Sequence, residues 1–181
     1  MPNNLIPTPI GLQAIVNKLQ VALYDPLKAT WNNAQLDGYP ICYSKEKDGK
    51  RTIEHFSSGV DYKNLIYAEE NKFWFTNPYP ITEVRNSSGI YETQLDLYFT
   101  VNLLEIKSQI TTHRADYEAR KDVIDILEFI PEIRVNEIIT QFDQVYRGFS
   151  CSQDLDFQPY HCFRIVLDVL SFRNDLQICI N

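Results

Sequence analysis

The strongest hydrophobic pattern in the chain runs from Tyr91 to Phe172, where strand-like and helix-like periods follow one another with little linker. Its first part alternates, which is the period of a half-buried β-strand. Apolar side chains point one way at Leu95, Leu97, Phe99, Val101 and Leu103, and polar ones point the other way at Gln94, Asp96, Thr100 and Asn102. A second alternation, at Phe163, Ile165, Leu167 and Val169, predicts another strand.

Two stretches have the three- and four-residue steps of an amphipathic helix. The first is Gly11–Tyr24, and Pro26 is expected to stop it, because proline lacks an N–H donor and clashes with the preceding turn. Trp31, in the irregular stretch that follows, is interpreted as an anchor. The second is Thr112–Ile130, with Thr112 in the N-cap position.

The centre of the chain predicts an inserted β-hairpin arm at about residues 39–79. Asp48-Gly49 is a strong two-residue turn signal, and apolar residues flank it on both sides. Further along, Phe73-Trp74-Phe75 precedes a break at Asn77-Pro78-Tyr79-Pro80. Two interpretations stay open for this aromatic segment. Either Trp74 lies at the edge of a strand whose other aromatics fill the core, or the segment docks on a neighbouring subunit.

The last third of the chain predicts more sheet. Val135–Phe149 is rich in β-branched and aromatic residues and is interpreted as a strand, with a short helix over Asn136–Phe142 as the alternative. His161–Phe172 is the last strand. The elements predict an α+β fold: a small, mostly antiparallel sheet with an N-terminal helix and one long helix packed on it. Residues 1–10 form an extended arm, and residues 11–181 form one domain that carries the hairpin.

Length and charge bound the class of protein. A chain of 181 residues with 44% hydrophobic residues is long enough and apolar enough for one packed domain. The net charge is −7, and no run of basic residues exceeds Lys50–Arg51, so a surface that grips nucleic acid is disfavoured. An acidic surface is compatible with a channel wall along which DNA passes without sticking.

No group of residues in the sequence indicates a catalytic, cofactor or metal site. The cysteines are scattered singly, at Cys42, Cys151, Cys162 and Cys179, so no CxxC pair is available for zinc or redox chemistry. His161 adjoins Cys162, but neighbours on a strand point to opposite faces, whereas a nucleophile and its base must meet. Nucleotide-binding and hydrolase motifs are absent too. We therefore expect no enzyme activity and no cofactor.

Acidic side chains cluster on the second predicted helix. They are Asp116, Glu118, Asp122, Asp125, Glu128 and Glu132. The simplest interpretation is a solvated face with ion pairs between residues i and i+4, such as Arg114–Glu118, and the alternatives are an intersubunit contact or charges that face a lumen.

No feature of the sequence predicts a membrane protein. No apolar run reaches the roughly 20 residues of a spanning helix, and Met1–Pro9 lacks the basic and apolar regions of a secretion signal. We expect a protein that is made in the cytoplasm and has no membrane contact.

The order of the predicted elements resembles that of phage tail-terminator and head–tail connector proteins, which form rings in the virion neck. The matching elements are an N-terminal helix, a long strand, a polar-faced helix and two final strands, at Gly11–Tyr24, Gln94–Lys107, Asp116–Glu128, Val135–Phe149 and Phe163–Phe172. The inserted Tyr39–Tyr79 departs from the family pattern. The Asn-, Ile- and Tyr-rich composition is similar to that of proteins from AT-rich phage genomes, such as those of crAss-like phages of gut bacteria.

The resemblance implies a structural virion protein at the head–tail interface or upper tail, without catalytic turnover. It implies a homo-oligomeric ring of six or twelve subunits that joins portal, adaptor or tail proteins around a channel, through which DNA passes without specific binding. Contacts to subunits or partners are expected from the N-terminal arm, the hairpin turn and the aromatic segment, at Leu5, Ile6, Asp48, Gly49, Trp74 and Tyr79.

Other classes of protein stay open. One is a non-viral protein-interaction module. A small-ligand enzyme of α+β fold would need a deep pocket with convergent polar groups near His55, His113 or His161. A nucleic-acid-binding module would need a basic groove lined by aromatic side chains.

Overall fold

A computed structural model describes residues 5–32, 36–39, 42–55, 73–77, 83–85, 91–147 and 156–172. The fold is α+β, as predicted. Its helices are α1 (Leu12–Thr30), α2 (Leu103–Ile106), α3 (Ala115–Leu127) and α4 (Phe142–Val145). Its strands are β1 (Asp37–Tyr39), β2 (Cys42–Lys47), β3 (Lys50–His55), β4 (Phe73–Asn77), β5 (Glu83–Arg85), β6 (Tyr91–Asn102), β7 (Ile133–Ile139) and β8 (Tyr160–Phe172).

The main sheet has the strand order β1-β4-β6-β8-β7, and β5 pairs with β6 beside β4. Strands β4, β6, β8 and β7 pair antiparallel in that order, and among the described strand pairs only β1 and β4 are parallel. Leu95 lies opposite Leu167 and Phe99 opposite Phe163, so the two alternations found in the sequence are neighbouring strands. Their shared period brings both apolar sets to one side of the sheet.

That side, here called the helix face, is the hydrophobic core. It consists of Leu95, Leu97, Phe99 and Val101 on β6 and Phe163, Ile165, Leu167 and Val169 on β8, all buried. Helices α1 and α3 cover it with Val16, Leu19, Leu23, Leu27, Ala119, Val123 and Leu127. The prediction that Trp31 is an anchor is confirmed, because its ring is fully buried and meets Phe99 edge-on at 6.2 Å between centroids.

The prediction that Pro26 ends the first helix is wrong, since α1 continues to Thr30. Leu23 and Leu27 lie one turn apart across the proline and both are fully buried. Burying a leucine side chain stabilises by roughly 1.5–3 kcal/mol, which offsets much of the cost of proline in a helix. The last turn is closed by a hydrogen bond from the Trp31 N–H to the Leu27 carbonyl, 2.8 Å long.

The second helix is shorter than predicted at both ends. It begins after Arg114, which is the N-cap and makes no side-chain capping bond, so Thr112 is not the cap. Beyond Leu127 the chain tightens: the Phe129 N–H bonds to the carbonyl of Ile126 and the Ile130 N–H to that of Leu127, each three residues back. These tighter turns bring the chain towards the start of β7.

The strand predicted over Val135–Phe149 is also wrong beyond Ile139, where β7 ends, and the alternative helix over Asn136–Phe142 does not form either. Asn136 is an extra residue in β7, because Val135 faces Leu167 and Glu137 faces Val166. This β-bulge interrupts the alternation. The short α4 follows, and its apolar residues cover the other side of the sheet.

The predicted long strand over Gln94–Lys107 ends earlier, at Asn102. The Asn102 side-chain oxygen accepts a hydrogen bond of 3.0 Å from the Leu104 N–H and thereby caps α2. Asparagine favours this position because its short amide reaches the free N–H groups of a first helical turn.

The side of the sheet opposite the helices, here called the second face, is buried as well, contrary to the half-buried strand that the alternation predicts. Asp96, Tyr98, Thr100 and Cys162 are all buried there. Tyr146, which follows α4, stacks on Tyr98 at 6.0 Å between ring centroids, and its hydroxyl is hydrogen-bonded to that of Thr100.

The predicted hairpin is present. Strands β2 and β3 form a separate two-stranded antiparallel sheet, in which Lys47 faces Lys50. Asp48 and Gly49 form its turn with φ angles of 53° and 74°. Positive φ at both central residues is the requirement of a type I′ turn, which Asp-Gly meets. Residues 40–41, 56–72 and 78–79 of the predicted insertion lie outside the described residues.

Candidate functional site

The residues predicted to make contacts lie on separate elements. Leu5 and Ile6 are partly exposed, and the backbone of Ile6 is bound to Asn17 of α1 by hydrogen bonds of 3.0 and 2.8 Å. Asp48 and Gly49 form the exposed tip of the β2–β3 hairpin. Trp74 lies in β4, where its backbone faces Phe99 on one side and Gly38 on the other. Tyr79 lies outside the described residues.

A group of polar side chains surrounds a cavity of about 200 Å³ at the N-terminal end of α3. It lies where β8 extends past the end of β7. Residues 164–169 of β8 pair with β7, whereas Tyr160–Phe163 pair with β6 alone among the described strands. The cavity is lined by Arg114, Asp116, Arg120, Thr140, Phe142, Asp156, Gln158, Tyr160, His161 and Cys162.

Asp116 organises the charges of this cavity. Arg114 donates two hydrogen bonds to its carboxylate, of 3.1 Å from Nε and 2.7 Å from Nη2. Arg120, one turn further along α3, lies 3.6 Å from the same carboxylate. Both guanidinium groups also lie over the ring of Tyr117, at 4.9 and 4.5 Å from its centre. Two cations therefore share one carboxylate.

His161, near the start of β8, adds an imidazole to the charged side chains of this cavity. Nη1 of Arg120 lies 3.2 Å from Nε2 of His161. Arginine has only donors, so Nε2 accepts this bond and the ring proton of a neutral imidazole lies on Nδ1. Burial, together with the positive charge of Arg120, lowers the pKa of His161 to about 4. The imidazole is therefore neutral at neutral pH.

The carboxylate of Asp116 stays ionised in this setting. Burial alone would raise its pKa, but the hydrogen bonds from Arg114 and the nearby positive charges hold the pKa below its usual value. The cavity thus holds two guanidinium groups, the carboxylates of Asp116 and Asp156, and one neutral imidazole.

The structure does not place the His161 imidazole as a base beside the Cys162 thiol. His161 lies on the helix face, where its ring stacks on Phe163 at 5.4 Å, and Cys162 lies on the second face. Burial raises the pKa of the Cys162 thiol to about 11, so the thiolate is scarce at neutral pH.

A second cavity, of about 470 Å³, adjoins the first and shares Arg114, Asp116 and Gln158 with it. Its other walls are mixed. Leu103, Leu104, Ile110 and Pro159 are apolar, whereas Lys107, Ser108 and His113 are polar. The two cavities together form a recess with a charged end and a partly apolar end.

Lys107 forms ion pairs with two acidic residues of α3. Its ammonium group is buried and lies 3.0 Å from Glu118 and 2.7 Å from Asp122. The Trp31 indole N–H donates a bond of 2.7 Å to Asp122 as well. Burial alone would lower the pKa of Lys107, but these two carboxylates raise it above its usual value.

The interpretation of this helix as a solvated acidic face is therefore wrong for Asp116 and Asp122. The expected Arg114–Glu118 pair is replaced, because Arg114 turns to Asp116 and Glu118 bonds to Lys107 and His113. Only the spacing of Asp116 and Arg120, four residues apart, indicates part of the cavity in the sequence. The contribution of His161 depends on the docking of β8 beside α3, which no local pattern reveals.

Within the described part of the chain, no group of three or more His, Cys, Asp or Glu side chains is arranged to hold a metal ion. None of the described helices is both long and apolar enough to span a membrane. No protein-family model, no curated protein and no solved structure matches the chain.

Proposed function

We propose that this chain is a structural virion protein that forms a ring at the phage head–tail interface or in the upper tail. The ring is homo-oligomeric, with six or twelve subunits, and joins portal, adaptor or tail proteins around the DNA channel. The resemblance in element order supports this proposal, and so does an α+β fold with two helices on one side of an antiparallel sheet. A net charge of −7 suits a channel through which DNA passes without being held.

The observation that carries the proposal is the β2–β3 hairpin. Its two strands pair with each other and with no other described strand. Strand β2 lies beside β4 without pairing with it, but a two-stranded hairpin is only marginally stable in water by itself, so further contacts would help to hold it in one position. Its exposed Asp48-Gly49 tip makes it an arm that can reach a neighbouring subunit.

The β2–β3 hairpin is a better candidate for contact with a neighbouring subunit than the edge of the sheet at β7. Strand β7 pairs with β8 on one side and with no described strand on the other. However, β7 carries the bulge at Asn136 and the exposed charges of Arg134 and Glu137. Bulges and charges on an edge strand prevent indiscriminate strand addition. Subunit contact through the arm is therefore favoured over addition of a strand at β7.

Two substitutions at the hairpin tip test the proposal. Gly49→Val places a β-branched residue at a φ of 74° and should break the turn. Asp48→Asn is the matched control, because Asn-Gly forms the same turn. We expect unaltered protein and the Asp48→Asn variant to form rings of six or twelve subunits in native mass spectrometry and negative-stain images. The Gly49→Val variant should shift to monomers with an unchanged thermal melt of the main domain.

The proposal fails if unaltered protein stays monomeric at the highest soluble concentration and shows no rings. The role of the hairpin fails separately if rings form but the Gly49→Val variant assembles as well as the control.

A second candidate function, a small-ligand protein, is favoured by the polar cavity around His161, which is the kind of pocket that such a protein requires.

A further inference from the structure

Two arginines, Arg114 and Arg120, and two carboxylates, Asp116 and Asp156, line the cavity at the start of α3, but among the described ion pairs only Asp116 contacts the arginines. Arg114 and Arg120 bring two positive charges to the single carboxylate of Asp116. Arg114 makes the shorter contact with this carboxylate, at 2.7 Å, whereas Arg120 lies 3.6 Å away. The longer separation exceeds the length of a charge-assisted hydrogen bond, so Arg120 is only partly neutralised.

Arg120 is also poorly placed to be neutralised by solvent. Its side chain is only 11% exposed, whereas that of Arg114 is 71% exposed. Its other polar contact is with a neutral imidazole, which offers a lone pair but no negative charge. Burying a guanidinium group without a full counter-charge is costly, and the cost falls when an anion enters the cavity.

The surroundings extend the site beyond a single ion. The adjoining cavity continues from Arg114 and Gln158 to the apolar side chains of Leu104, Ile110 and Pro159. A ligand with an anionic group near Arg120 could therefore place an apolar body in this neighbouring space. A recess with convergent polar groups at one end and a partly apolar wall at the other has features of a small-molecule site.

We propose that the recess between the start of α3 and the start of β8 binds a small acid, with its carboxylate or phosphate group at Arg120 and its apolar body against Leu104 and Ile110. His161 lines the same cavity, and its neutral ring carries a hydrogen on Nδ1. This inference does not depend on the role of the hairpin or on ring formation. A ring protein and a monomeric ligand-binding protein could both carry the site.

Two carboxylates oppose the binding of an anion: Asp116 within the cavity and Asp156 at its rim. Asp156 lies exposed at the rim of the cavity and forms no ion pair within the described part of the chain. Its carboxylate repels an incoming anion, so removing its charge should strengthen binding. Because Asp156 is exposed, Asp156→Asn is expected to fold normally.

Calorimetric and NMR titrations at constant ionic strength test the site with hexanoate and hexyl phosphate, and with acetate and inorganic phosphate as ligands without the apolar body. We expect saturable binding, with both hexyl ligands tighter than their short counterparts. A preference for hexyl phosphate identifies a phosphate ligand, and the reverse identifies a carboxylate. Arg120→Gln should weaken binding by roughly tenfold or more, because a charge-assisted bond is lost. Asp156→Asn should tighten it roughly twofold.

Arg134→Gln is the matched control, because it removes the same charge from the exposed pair with Asp168 on β7 and β8, outside both cavities. It should bind all four ligands with unchanged affinity. The proposal is overturned if neither hexyl ligand binds saturably to the unaltered protein. It is also overturned if Arg120→Gln, folded by its thermal melt, binds as tightly as Arg134→Gln, or if Asp156→Asn weakens binding.

Discussion

The two faces of the central sheet are both buried, but different interactions hold them. On the helix face, Phe99 and Phe163 stack at 4.7 Å between ring centroids among aliphatic side chains. On the second face, Arg164 lies 3.5 Å from Asp96 and 3.4 Å from the Tyr98 hydroxyl. One face is stabilised by apolar area and the other by polar contacts that must be satisfied.

The second face satisfies its polar groups incompletely. Oδ1 of Asp96 and Nε of Arg164 are buried and find no hydrogen-bond partner among the described residues. Burial raises the pKa of Asp96 against the opposing effect of Arg164, and burial with the charge of Asp96 raises that of Tyr98 to about 12. Truncating an apolar side chain on the helix face should therefore leave a void. Truncating one member of the Arg164–Asp96 pair on the second face should leave an uncompensated charge.

The largest expected effect lies on the helix face. Phe163→Ala removes a fully buried ring that stacks on both Phe99 and His161, and should lower the free energy of unfolding by about 3–5 kcal/mol. Urea denaturation followed by circular dichroism measures this change. Phe157→Ala is the control, because that ring is exposed and its loss should leave the midpoint unchanged. Equal effects at the two positions would contradict the assigned core.

The next effect tests the second face. Arg164→Met removes the cation and leaves Asp96 buried without it, which should cost about 3 kcal/mol in the same measurement. Adding Asp96→Leu removes the stranded carboxylate, so the double variant should recover most of the loss. A double variant that is less stable than Arg164→Met alone would mean that the ion pair itself supplies the stability of this face.

The helix face was largely predictable from the sequence because its alternations in β6 and β8 are regular and its helices carry apolar stripes. The hairpin was predictable because Asp48-Gly49 carries its own turn signal. The burial of the second face was not predictable, since the cover supplied by Tyr146 is a tertiary contact. Likewise, the end of α1 was misplaced because the burial of Leu27 overrides the local effect of Pro26.

The candidate site was less predictable than the fold. Arg120 and His161 are 41 residues apart, and their contact depends on the packing of α3 beside β8. A single histidine or arginine has no periodic signal that reveals such a partner. The sequence therefore located the strand that carries His161, but not the charges around it.

A smaller effect tests whether the helix face depends on apolar contacts alone. The pKa of His161 is about 4 in the folded chain and about 6.5 when unfolded, so the unfolded chain binds more protons between these values. The free energy of unfolding should therefore decrease as the pH is lowered, by about 2 kcal/mol between pH 7 and pH 5. His161→Gln should remove this part of the acid loss, whereas exposed His113→Gln should retain it. An unchanged acid slope in His161→Gln would refute a neutral, buried His161.

The smallest effect concerns the hydroxyl that links α4 to the second face. Tyr146→Phe keeps a ring that can stack on Tyr98 but removes the hydrogen bond with Thr100, and this should lower the free energy of unfolding by about 1 kcal/mol. Tyr117→Phe is the matched control, because the Tyr117 ring is exposed and should lose nothing measurable. If Tyr146→Phe were as stable as this control, polar contacts would contribute little to the second face, and the two faces would differ in composition but not in what stabilises them.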